Sequence, residues 1–187
     1  DRRLAAQPRG GLAAMSWRLL KVVVVLPGTV LVLVPAIILW AVADTGAAAE
    51  FRGPVDPGFW IGAAVGLVGI AFAVWTVRLF VGPGEGTPAP WDPPQKLVVR
   101  GPYRHVRNPM IASVYMMLFA ESLILNAWPL AVWLIVFFAV NALYIPRSEE
   151  PGLAARFGED YRQYKANVPR WIPNPLPWNP DDEGESS

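Results

Sequence analysis

The chain has 187 residues, 53% of them hydrophobic and only 17% charged, with a formal net charge of +1. The absence of cysteine excludes disulfides and thiolate chemistry, and a single histidine gives no basis for a zinc or iron centre, so no metal site is expected. Lys and Arg gather at the edges of long apolar blocks rather than in one patch, which points to a polytopic membrane protein with no nucleic-acid partner.

Residues 1–16 are rich in Arg, Ala and Gly and read as a flexible arm. Residues 17–43 supply a first spanning helix, longer than a signal-peptide core and with no small-residue cleavage site after it, so it reads as retained. Pro27 and Pro35 are expected to kink it, a feature tolerated in lipid when neighbouring helices re-satisfy the freed carbonyls. A polar loop at 44–57 leads to a second span at 59–81. There Gly62, Gly66 and Gly69 make a small-residue face for close helix contact, first within the monomer and second as a homodimer contact.

Residues 82–94 hold too much Pro and Gly for a helix and read as a structured loop or cap, with Glu85, Thr87 and Trp91 as its polar and aromatic candidates for a lid. The stretch 97–110 follows, setting Arg100, Arg104, His105, Arg107 and Asn108 between two apolar segments. Gly101 frees its backbone, Pro102 and Pro109 stiffen it, and Pro109 suits the first turn of a helix. Such a loop either binds a ligand or only satisfies topology by touching lipid headgroups.

Apolar segments at 110–125 and 128–145 are separated by Asn126 and Ala127 and predict a tight helical hairpin, its first arm short for a span of ~20 residues. Glu121 near the far end is expected to reach the interface, while Asn141 lies at the same end as the Arg-rich loop, facing it or bonding a neighbouring helix. Residues 147–165 are charged, with Leu153, Phe157, Tyr161 and Tyr164 on one stripe, and predict an amphipathic helix. Residues 168–178 form a Pro- and Trp-rich interfacial segment, and 179–187 an acidic disordered tail. The fold class expected is all-α, with about four transmembrane helices. Trp17, Trp40, Trp60, Trp91, Trp128 and Trp178 read as interfacial anchors, and Trp171 as the exception.

Basic residues also set the orientation. Arg2, Arg3, Arg9, Arg18 and Lys21 precede the first span, Lys96, Arg100, Arg104 and Arg107 lie between the second and third, and Arg147 to Arg170 follow the fourth. By the positive-inside rule both termini and the Arg-rich loop face the cytoplasm.

The hairpin then brings that loop together with Arg147, Glu149 and Glu150 at one end. Adjacent carboxylates point to different faces of a helix, so a carboxylate pair for hydrolysis is not expected. The arrangement suits a zwitterionic ligand instead, with glutamates accepting from an ammonium or ribose hydroxyls and Arg or Asn binding a carboxylate.

Gly101-Pro-Tyr-Arg-His-Val-Arg-Asn-Pro109, followed by Glu149-Glu150, Leu153, Phe157-Gly158, Tyr161, Tyr164 and Val168-Pro-Arg170, resembles the isoprenylcysteine carboxyl methyltransferase and phospholipid methyltransferase family of integral-membrane enzymes. The likeness covers 97–173, within a membrane methyltransferase domain at 17–178. It implies S-adenosyl-L-methionine as cofactor, held by Val99, Gly101, Pro102, Tyr103, His105, Val106, Asn108, Pro109, Glu149 and Glu150. It also implies a lipophilic acceptor arriving from the membrane lipid, with Arg104, Arg107 and Arg147 to hold a carboxylate acceptor. The family's Arg-His-Pro-x-Tyr is here Arg107-Asn108-Pro109-Met110-Ile111, so both imidazole and phenol are missing, and Ser113 stands where glycine is usual. Asn108 still donates a hydrogen bond but carries neither charge nor proton. Methyl transfer needs mainly positioning, worth ~7 kcal/mol or more for well-oriented reactants, so the lack of an obvious base does not exclude an enzyme. The other readings are a membrane reductase related to sterol reductases, and a non-catalytic scaffold that keeps the fold.

Overall fold

The computed structural model describes residues 25, 27–81 and 96–180, and among these the fold is all-α. The expected arm at 1–16, the Pro- and Gly-rich loop with Glu85, Thr87 and Trp91, and the tail beyond 180 lie outside the described residues. A π-helical turn at Thr29–Leu33 leads into α1, Val34–Val42, and α2 runs over Pro57–Val81. A 3₁₀ turn at Gly101–Arg104 precedes α3, Pro109–Ile124, and α4 follows at Trp128–Tyr144. A second π-helical turn, Ile145–Glu149, joins α4 to α5, Glu150–Asn167.

Two of these helices are long and apolar enough to cross a membrane, namely Pro57–Leu79 of α2 and the continuous helix Trp128–Asn167, whose apolar part ends at Ile145. The apolar helices Thr29–Val42 and Pro109–Ile124 are shorter. Sixteen residues of α3 reach about 24 Å, less than the ~30 Å hydrocarbon core. Large apolar side chains stand exposed along α2 and α4, among them Leu67, Val68, Ile135 and Val140, as a lipid-facing surface requires.

Helix α2 packs along α3, and its glycines permit the approach. A methyl group on Gly62 would lie 2.7 Å from Ile124, one on Gly66 3.2 Å from Ala120, and one on Gly69 3.1 Å from Met116. The small-residue face read from the sequence is therefore used within the chain.

Helix α1 shows how a proline within a helical run is accommodated. Pro35 has no N–H, and in π-helical spacing its missing donor would have served the carbonyl of Val30. Trp133 of α4 fills that place, its Nε1 donating to Val30 O at 3.1 Å. At the opposite end from the 3₁₀ turn, the α1–α2 loop clasps the α3–α4 turn. Glu50 N donates to Leu125 O at 2.9 Å and Arg52 N to Ile124 O at 2.7 Å. Arg52 also bridges Asp56 and Asn126, and Asn126 takes the left-handed conformation (φ 44°) that asparagine tolerates. Hydrogen bonding from Gly58 N, aided by Arg52, holds the Asp56 carboxyl below its usual value.

Helix α5 is two helical pieces joined at Gly158, whose φ of 58° and ψ of −127° no side-chain-bearing residue adopts without strain. We predict that Gly158→Ala destabilises the detergent-solubilised protein by about 1–3 kcal/mol. Gly152→Ala, earlier in the same helix where an added methyl would meet nothing within 4 Å, is expected to stabilise by about 0.5–1 kcal/mol. Thermal unfolding of the two variants side by side checks the pair, and equal shifts would remove the backbone explanation.

Candidate functional site

The Glu150 carboxylate is nearly inaccessible, at 2% exposure, and three cations surround it. Arg107 Nη1 donates to Oε1 at 2.7 Å, and Arg170 reaches Oε1 through Nε at 2.7 Å and Oε2 through Nη2 at 2.9 Å. Lys165 Nζ stands 2.9 Å from Oε2. Arg107 comes from the loop before α3, Lys165 from the last turn of α5, and Arg170 from the segment after it. Burial alone would raise the Glu150 carboxyl, but the hydrogen bonds from Arg170 and Lys165 and the charge of Arg107 outweigh it and hold the group below its usual value. The hydrogen bond to Glu150 correspondingly raises Arg170.

Beside this cluster lies a small core of Tyr161, Tyr164 and Val168, with Val99, Phe157 and Trp178 packed on it. The Tyr164 hydroxyl donates to Tyr103 O at 2.8 Å and so fastens α5 to the 3₁₀ turn. Burial, with Tyr164 and Glu149 nearby, raises the Tyr103 phenol well above its ordinary value.

The segment after α5 returns along the 3₁₀ turn and is laced to it by backbone hydrogen bonds. Arg107 N donates to Pro169 O, Asn174 N to His105 O and Trp178 N to Arg104 O, each at 2.9 Å. Side chains reinforce the lacing: Arg104 Nε donates to Trp178 O at 2.9 Å, and Asn108 Nδ2 to Arg170 O at 3.4 Å. His105 Nδ1 lies 2.7 Å from Asn174 O, and since a carbonyl only accepts, this ring nitrogen carries the proton.

The structure thus brings most of the sequence-derived residues to one end of the bundle but gives them different work. Val99, Val106 and Pro109 pack, Val106 and Pro109 being fully enclosed. Arg107 and Glu150 neutralise each other, and Arg104, His105 and Asn108 anchor the C-terminal segment. Arg147 is exposed on the π-helical turn, with Nη1 3.4 Å from Leu143 O. Asn141, buried at 8%, bonds its own helix at Phe137 O rather than a neighbour. Trp171 is not an exposed anchor, for it packs on Tyr115 of α3 and Phe138 of α4.

Glu149 differs from its neighbour, since among the described residues no cation pairs with it. Burial and the Glu150 charge raise its carboxyl above the usual value. The cluster as a whole sets three cations (Arg107, Lys165, Arg170) against two carboxylates.

Across the 3₁₀ turn lies a cavity of about 400 Å³. Phe72 and Trp75 of α2 form one wall, Gly101, Pro102, Arg104, His105 and Val106 a second, and Pro173 and Pro177 a third. Gly101 has φ 54° and faces Trp75, which a methyl group there would meet at 3.0 Å, so glycine is needed for backbone and packing alike. Sequence reasoning did not anticipate the roles of Lys165 and Arg170 or of Phe72 and Trp75. For Arg170 the motif was legible without its partner, and the α2 pair looks like any lipid-facing aromatic spacing.

Glu150→Gln leaves three cations around a neutral amide, and breaking a buried ion cluster in this way costs about 3 kcal/mol. The depressed carboxyl contributes stability that is full above its unfolded value of about 4.3 and is lost as pH falls through the lower folded value. Melting temperature recorded from pH 7 down to pH 3 should therefore fall on the acid side for the parent protein and show a smaller acid-side loss for Glu150→Gln. Parallel curves would remove Glu150 from the acid response.

The family model of phospholipid methyltransferases matches residues 58–160, more than half of the chain, and takes in α2, the 3₁₀ turn, α3, α4 and the Glu149-Glu150 pair. Neither a curated protein nor a solved structure matches. With two helices able to cross a membrane and this match, the chain is a membrane protein that belongs to the phospholipid methyltransferase family, a family of methyltransferases.

Proposed function

We propose that the protein transfers a methyl group from S-adenosyl-L-methionine to a lipophilic or amphipathic acceptor at the cytoplasmic face of the membrane. The observation that carries the cofactor reading is Glu149: a desolvated carboxylate on the π-helical turn, next to Tyr103, that no described cation neutralises. Helical π-turns of this kind are frequent at functional sites, because they break the regular register where a side chain must be aimed.

The residues fit such a ligand. Glu149 offers acceptors to an ammonium or to ribose hydroxyls, and the surplus of positive charge from Arg107, Lys165 and Arg170 favours a carboxylate nearby. S-adenosylmethionine, when bound, supplies a methyl group activated by a sulfonium. The chain's own part is positional. Glu150 fixes Arg107 at the entry of α3 and Arg170 beyond α5, and Tyr164 fixes the turn that carries Tyr103. The packed Tyr161 and Tyr164 keep water from one side of the turn. With Arg104 and Arg107 engaged by Trp178 and Glu150, Arg147 is the exposed cation of the three and the one placed to hold an anionic acceptor group.

This reading has four spans, the shorter helices α1 and α3 completing the bundle, and both termini on the cytoplasmic side with the basic residues. Because α3 occupies the glycine face of α2, it places no dimer contact at Gly62 or Gly66.

Calorimetric titration of the detergent-purified protein with S-adenosylhomocysteine, beside NADPH, tests the proposal. We expect saturable binding of the first alone, weakened at least tenfold in Glu149→Gln with an unchanged melting temperature. Binding of NADPH only, or an unaltered affinity in Glu149→Gln, would sink the cofactor assignment.

A further inference from the structure

Sequence pattern alone sets residues 168–178 at the membrane surface, but their contacts place them deeper. Trp171 packs on Phe138 of α4, which lies seven residues, about 10 Å along the helix, inside Ile145, where the apolar part of that helix ends. Pro173 and Pro177 face Phe72 and Trp75 across one cavity. Those two residues lie about 10 and 6 Å inside Leu79, the end of the apolar span in α2. Two spanning helices thus mark the same level, and Ile172 sits in sequence between the residues that touch them.

Ile172 and Leu176 are each 80% exposed. Every exposed residue of 168–178 is apolar, namely Ile172, Pro173, Pro175, Leu176 and Pro177, while Arg170 is turned inward to Glu150. This surface continues that of α2, where Trp75 is half exposed, so the occupant it fits is hydrocarbon rather than a polar partner. Backbone donors limit the depth, because lipid cannot satisfy them. Pro169, Pro173, Pro175 and Pro177 have no N–H, and Val168, Asn174 and Trp178 donate theirs to the carbonyls of Tyr164, His105 and Arg104. Those of 170–172 and 176 have no backbone acceptor among the described residues, which keeps the main chain within reach of water and lipid carbonyls while side chains go further.

We infer that 168–178 is a strap seated in lipid: Ile172 and Leu176 insert among the acyl chains of the leaflet on the side of the 3₁₀ turn, and this contact holds the strap against that turn. Arg170 rides on the strap, so the bilayer is a structural partner of the Glu150 cluster.

The chain has no cysteine, so Ile172→Cys or Leu176→Cys carries a single nitroxide in the full protein. In vesicles of phosphatidylcholine and phosphatidylglycerol, collisions with oxygen, which partitions into acyl chains, are compared with collisions with a water-soluble nickel chelate. Gln163→Cys, exposed on α5, is the aqueous control. Oxygen should dominate at 172 and 176, and nickel at 163. Dominant nickel collisions at 172 and 176 would put the segment in water. An immobilised label that meets neither reagent would give the surface to protein, such as a second copy of the chain. Either result overturns the lipid seat.

Hydrogen exchange in the same vesicles tests the holding role. Ile172→Ser combined with Leu176→Ser should speed exchange of the Asn174 and Trp178 amides about tenfold and leave α2 and α4 unchanged, whereas Ile172→Met with Leu176→Met should keep the protection. Unchanged exchange in the serine variant overturns that role. Loss of protection throughout α2 and α4 overturns it too, by making the contact one of general folding. Neither measurement uses the cofactor, so the outcome is independent of the methyltransferase reading.

Discussion

One buried carboxylate holds this end of the molecule together. Glu150 is placed by the junction of two helices, and its three cations come from the loop before α3, the end of α5 and the segment beyond. Taking a carboxylate out of water costs several kcal/mol, and only near-complete hydrogen bonding offsets it. The cluster is therefore intolerant of partial assembly. With any one of these regions displaced, the buried Glu150 carboxylate keeps fewer partners, so the ordering of each region favours that of the others. The lacing of the C-terminal segment onto the 3₁₀ turn and the seat of Tyr164 on Tyr103 O follow from that collective ordering.

The bundle supplies the platform by a different physics. Lipid offers no hydrophobic drive for helices to associate, so contact must come from close packing and from satisfied polar groups. The glycine face of α2 provides the first, and Trp133 bonding the carbonyl orphaned at Pro35 provides the second. Gly101 then presses the 3₁₀ turn onto Trp75. The polar site thus rests on α2 as well as on the two helices its own sequence neighbours form.

Much of this was legible in the sequence. The helical segments, the glycine face, the proline adjustment and the grouping of the Gly-Pro-Tyr loop with Glu149-Glu150 follow from local pattern, because each depends on residues near in the chain or on one short turn. What escaped was long-range pairing. Lys165 reads as a surface charge at a helix end and Arg170 as part of a motif without its partner, and nothing in their spacing says that both converge on a carboxylate of the helix start. Glu149 and Glu150 read as an equivalent pair, and burial beside different partners makes them opposites, one neutralised and one not. The shortness of the third apolar block was legible as well, since the segment at 110–125 yields a helix of 16 residues.

Helix α4 does not stop at the last apolar residue but continues through the π-helical turn into α5, unbroken as far as Gly158, a shaft of about 45 Å. Membrane helices change tilt as the surrounding bilayer thins or thickens. With a rigid shaft, such a tilt is transmitted to the protruding part as a sideways swing that grows with distance from the pivot, and Glu149 and Glu150 ride on that arm. Of the three attachments at Glu150, Arg107 ties the arm to the loop before α3, while Lys165 and Arg170 tie it to the end of α5 and to the segment laced onto the 3₁₀ turn, so a swing of the arm is shared with that loop and that segment.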